Sequence, residues 1–138
     1  MVRRFALLSA MCLIGCAGST IAPRVPVDRQ VTLTPGQSVT IGDSIEIRFV
    51  GVQGDSRCPA DAMCIQGGDA VVRVQVTRDR ETHDIDLHTG NMQPATTGDV
   101  TVTLVELSPY PFSSRTIRPD EYRATLRVTA SVPPPIPR

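Results

Sequence analysis

The chain has no lysine and no tryptophan, and only three phenylalanines and two tyrosines. The missing lysine is attributed to a GC-rich coding bias and carries no functional weight. The shortage of aromatic rings matters more. With Arg3 and Arg4 removed as part of a leader, twelve arginines face fourteen acidic residues, a formal charge of −2. No basic stripe and almost no stacking material remain, which argues against a nucleic-acid partner. No apolar run is long enough to cross a bilayer as a helix. No window after residue 16 has helical periodicity, and neither a Gly-x-Ser-x-Gly element nor a phosphate-binding loop is present. Only four cysteines occur, at positions 12, 16, 58 and 64.

The first two of those cysteines belong to a leader. Met1 to Arg4 is a short basic segment, and Phe5 to Ile14 is apolar but brief. Leu13-Ile14-Gly15-Cys16 resembles a bacterial lipobox. The resemblance implies a signal peptide over residues 1–15, removed after Cys16 has taken a diacylglyceryl group on sulfur. The new amine would then be acylated. Two or three acyl chains hold stably, at about 0.8 kcal/mol per buried CH₂. The expected location is the cell envelope, with the membrane as partner through this lipid. Ala17 follows the cysteine, and the sorting rule of this signal class then favours the outer membrane if the source is diderm.

Residues 16–29 are rich in small residues, proline and valine, without periodicity, and read as a flexible tether. Residues 131–138 contain four prolines and read as a frayed polyproline-like tail. Between them, residues 30–130 form a single β domain of roughly 100 residues, near the small end of what a lone core stabilises.

Short alternating segments separated by turn signals fill that domain. Gln30–Thr34 and Ser38–Ile41 flank Pro35-Gly36. In the next run Ile45, Ile47 and Phe49 share one face and Val50 and Val52 the other, which predicts either a bulge or a change of sheet near Phe49–Val50. Ala70, Val72, Val74 and Val76 line one face of a further strand. His83, Ile85 and Leu87 do so in the next, and Val100, Val102 and Leu104 in the one after. Tyr122, Ala124, Leu126 and Val128 close the series. About seven strands imply an all-β fold, either an antiparallel sandwich or a small open barrel.

The organising stretch is Asp55 to Ala70. Export places Cys58 and Cys64 in an oxidising compartment, where two cysteines six apart are expected to pair. Pro59 stiffens the entry to the loop, and Gly67-Gly68 allows a sharp return into the sheet. Asp55 is expected either to accept backbone N–H groups as a turn residue or to pair with Arg57.

Asp55-Ser56-Arg57-Cys58-Pro59, with Cys64, Gly68 and Ala70, resembles a motif of small uncharacterised bacterial lipoproteins and secreted proteins. The Pro35-Gly36-Gln37 turn, the Leu107-Ser108-Pro109-Tyr110-Pro111 segment and Tyr122 fit the same pattern. That family usually has a tryptophan shortly after the second cysteine, where this chain has Gln66. The resemblance implies export and fold, and brings no activity with it.

Catalytic and metal constellations are not expected. Gly42-Asp43-Ser44-Ile45 is superficially similar to the nucleophile block of GDS-type esterases. That chemistry needs a strand–turn–helix setting and a downstream base, for which His83 or His88 is available; a plain turn is the better reading. Asp84, Asp86 and His88 share a strand face, but alternate residues lie about 6.6–6.8 Å apart, which suits a solvated face better than a joint metal site. No cofactor is implied. The expectation is a non-catalytic binding or structural module of the envelope, with a protein partner. Presentation of the Cys58–Cys64 loop to a protease is the alternative, and a Ser44 hydrolase a weaker one.

Overall fold

A computed structural model describes residues 23 to 134. The leader, Cys16 and residues 135–138 lie outside these. Eight strands follow in order: β1 Val25–Leu33, β2 Ser38–Ile41, β3 Ile45–Asp55, β4 Ala70–Arg78, β5 Glu81–His88, β6 Ala95–Thr97, β7 Val100–Ser108 and β8 Arg123–Val132. A single 3-10 turn, Pro119–Glu121, precedes β8. Two antiparallel four-stranded sheets result, β1-β8-β7-β6 and β2-β3-β4-β5. They are not closed into a barrel, so the fold is the sandwich. No helix among the described residues is long and apolar enough to cross a membrane.

Alternation along the strands builds the core. Ile45, Ile47 and Phe49 of β3 pack with Ala70, Val72, Val74 and Val76 of β4 on one sheet. Val100, Val102 and Leu104 of β7 pack with Ala124, Leu126 and Val128 of β8 on the other, and all are buried. Burying each of these larger side chains stabilises the fold by roughly 1.5–3 kcal/mol. Of the two alternatives near Phe49–Val50 the bulge is the one that forms: β3 stays paired with β4, and the register shifts between Phe49 and Gly51, with a further shift between Val52 and Gly54. A second bulge, between Leu104 and Glu106 in β7, was not expected. It turns Val105 outward and Leu107 into the core.

Three expectations need correction. The tether does not extend to residue 29, because β1 begins at Val25 and pairs with β8 from Val25↔Val132 to Leu33↔Ala124. An edge strand with mostly exposed side chains needs no hydrophobic alternation, and its second residue, Pro26, is tolerated there. The tail does not begin at Ser131, since Ser131 and Val132 complete β8. The strand count is eight rather than about seven, because the three-residue β6 lies between the segments expected around His83–Leu87 and Val100–Leu104.

The strand directions give the sandwich two distinct ends. At one end Gly42 approaches Val132, Arg78 donates to the Ser131 carbonyl at 3.2 Å, and Arg24 and Arg78 both meet Asp99. Both described chain ends leave from here. At the other end β3 delivers Asp55 to the disulfide loop, and β7 runs into the proline-bearing connection.

Candidate functional site

The second end is organised by a buried arginine. Arg57 is two residues beyond β3, and its side chain is 5% exposed beside an Asp55 side chain at 12%. Its Nε donates to Asp55 Oδ1 at 2.8 Å and its Nη2 to Oδ2 at 2.6 Å. The backbone N–H of Arg57 also donates to Asp55 Oδ1, at 3.2 Å. Both roles foreseen for Asp55, turn former and ion-pair partner, are therefore filled at once. The guanidinium continues to the carbonyls of Leu107 at 2.8 Å and Pro109 at 3.0 Å. Tyr110 lies against its face, 5.2 Å from guanidinium carbon to ring centroid. Tyr122 donates its hydroxyl to Asp55 Oδ2 at 3.0 Å. One side chain thus joins the start of the disulfide loop to the end of β7 and the start of β8.

Burial works against the Asp55 carboxylate, but the hydrogen bonds from Arg57 and Tyr122 outweigh it and hold its pKa below the ordinary value. Its contribution to stability is present above pH 3.8 and is lost as pH falls further. Burial, reinforced by Asp55, pushes the Tyr122 phenol up to about 12. The unfolded phenol ionises from its ordinary 10.0, so above that pH the folded state retains a proton that the unfolded state releases. Stability should therefore fall by about 1.4 kcal/mol per pH unit from this group. Urea unfolding between pH 9 and 11.5 should show this slope, and Tyr122→Phe should remove it; an unchanged slope in the variant would assign the effect elsewhere.

Cys58 and Cys64 are joined. By restricting the unfolded chain, closure of so short a loop contributes roughly 2 kcal/mol. The loop is also tied to its neighbour. Ala60 N–H donates to the Pro111 carbonyl at 2.9 Å, and Ser113 N–H donates to Asp61 Oδ1 at 2.8 Å. Within the loop, Ala62 N–H donates to the Pro59 carbonyl at 3.1 Å, so Pro59 begins a tight turn. Met63 and Ile65 are 102% and 104% exposed. On the segment stitched to this loop, Tyr110 and Phe112 are also exposed.

The glycines act differently from the expectation. Neither Gly67 nor Gly68 has a positive φ, so no sharp reversal demands glycine. Gly68 is required by contact: a Cβ there would stand 1.5 Å from the Ser56 carbonyl oxygen, whereas Gly67 faces open space. Sequence reasoning also missed Asp69. Its carboxylate accepts from Thr89 and Gly90 and contacts His88 Nδ1 at 2.5 Å, while its backbone bonds Ser56. This ties the loop exit to the end of β5. Leu107 and Pro109 were missed as acceptors because main-chain carbonyls leave no sequence signal.

Ser44 lies in the β2–β3 turn, at the opposite end of the sandwich from His88. Among the described residues, no hydrogen bond joins Ser44 to either histidine; His83 faces Glu81 instead. The polar face of β5 is partnered from β4: Asp86 by Arg73 through two bonds of 2.9 Å, and Asp84 by Gln75 at 3.0 Å. Among the described residues, no three His, Cys, Asp or Glu side chains gather as a metal site.

A groove of about 260 Å³ runs beside this clamp, walled by Gly68, Thr89, Met92, Val105 and Tyr110. The arrangement offers a stiff, mostly uncharged display surface built from two loops stitched together. No family model, curated protein or solved structure matches the chain.

Proposed function

We propose that the chain is a lipid-anchored lipoprotein of the cell envelope whose β domain is a non-catalytic binding module, related to the small lipoproteins that share its cysteine motif. One observation carries the binding reading. A loop held by a disulfide, by Arg57 and by backbone bonds to its neighbour exposes Met63 and Ile65 completely. Exposed apolar surface gathered in one place marks an interaction site, and a loop already ordered gives up little freedom on docking. Met63 and Ile65 lie at the end of the sandwich opposite Val25, so a tether entering there leaves them free to face a partner.

Intact mass of the protein extracted from membranes of its native host tests the anchor. The expected species begins at Cys16 and carries a lipid mass, with Cys58 and Cys64 resistant to alkylation until reduced. An unlipidated start beyond Cys16 would end the lipoprotein reading. A photocrosslinking residue at position 65 tests the module. It should give one discrete adduct in cells, with none from the exposed outer-face position 46; equal labelling from both would end the binding reading.

A further inference from the structure

We propose that the Cys58–Cys64 ring is a substrate-like inhibitory loop, with Met63 entering the apolar primary pocket of a serine endopeptidase. This rests on the binding-module reading and names the class of partner. Residues 60 to 65 all keep negative φ, so an active-site cleft meets no left-handed kink, and Met63 and Cys64, on either side of the scissile bond, lie just past the Pro59–Ala62 turn and outside any turn or bend. The ring is already ordered by the Ala60–Pro111, Ser113–Asp61 and Ala62–Pro59 bonds, so docking sacrifices little conformational freedom. The ring's one charged side chain is Asp61, two residues before Met63, whose carboxylate is engaged by the Ser113 N–H; Arg57 and Asp55, just before the ring, neutralise each other. The leading side chain is a thioether with full exposure, which suits an apolar slot and not an acidic one.

The disulfide explains why such a loop inhibits instead of being consumed. The peptidase serine oxygen adds to the Met63 carbonyl carbon, and the Met63–Cys64 bond breaks. The Cys64 nitrogen takes up the proton and becomes a free amine. That amine stays in place, because Cys64 remains bonded to Cys58. It can attack the acyl-enzyme, re-form the peptide bond and return the serine its proton.

The test uses the full lipidated chain in detergent, with chymotrypsin and subtilisin as apolar-pocket probes and trypsin for comparison. The wild type should inhibit at least one of the first two. Met63→Arg, at a fully exposed position, should leave the melting temperature unchanged. It should weaken that inhibition by roughly 100-fold and create inhibition of trypsin. Reduction and alkylation should convert the loop into a substrate cut after Met63. No inhibition by the wild type, together with no gain on trypsin by Met63→Arg, would overturn the inhibitor assignment. The binding reading is judged separately, by the adduct from position 65.

Discussion

Arg57→Met should lower the unfolding free energy by about 3–5 kcal/mol, a large part of what a domain of this size has. The substitution keeps much of the aliphatic volume but removes five hydrogen-bonding N–H groups. Asp55 then keeps only the Tyr122 hydroxyl as a side-chain donor, in a site where its side chain is 12% exposed. The Leu107 and Pro109 carbonyls lose their guanidinium donors as well, and a buried acceptor left unpaired costs about 1–3 kcal/mol. The double variant Asp55→Leu/Arg57→Met should be less damaged than Arg57→Met alone, because no uncompensated carboxylate remains. Urea denaturation of both variants decides the matter. A loss below 1 kcal/mol for Arg57→Met would mean that the network is ornamental and that the disulfide alone holds the loop.

Gly68→Ala should be nearly as harmful, by about 3 kcal/mol, while Gly67→Ala next to it should be neutral or stabilising by roughly 0.4–1 kcal/mol. The new methyl at 68 falls 1.5 Å from the Ser56 oxygen, 2.3 Å from its carbon and 2.9 Å from the Arg57 nitrogen. All three are backbone atoms, so no side chain can swing aside. Relief requires the two limbs of the loop to part, which breaks the Ser56–Asp69 bonds, the shortest of them 2.7 Å, and drags Arg57 from its partners. At position 67 a methyl meets nothing and only reduces the freedom of the unfolded chain. Thermal or urea unfolding of the two alanine variants gives the contrast directly; equal effects would remove the steric account.

The paired outcome at adjacent glycines also shows where sequence reasoning stops. Strand faces were legible because burial imposes a period of two: Ala70 to Val76 and Tyr122 to Val128 read correctly from their pattern alone. The bulge after Phe49 was legible because two valines changed face. The bulge in β7 was not, since Val105 and Leu107 are both apolar and either can be assigned inward. β1 escaped notice from Val25 to Arg29 because main-chain bonds to β8 hold it, and those are blind to side-chain type. At the site, the Cys58–Cys64 pairing and the Asp55–Arg57 contact are local, and composition and spacing reach them. The burial of Arg57 depends on carbonyls 50 and 52 residues away and on a tyrosine that shares its Asp55 partner from 67 residues away. Nothing in the neighbouring sequence distinguishes it from a solvated arginine.

The pairing of β1 with β8 has a mechanical consequence. A pull applied between Val25 and the far loop runs along the strand direction, across rungs that lie perpendicular to it. The nine register pairs from Val25↔Val132 to Leu33↔Ala124 then resist together in shear, and β1 cannot be peeled away one rung at a time. Pulling Val25 and Val132 apart from their shared end loads the rungs singly, and the same two strands unzip. The domain is therefore built to be stiff when stretched end to end and weak when its two chain ends are drawn apart.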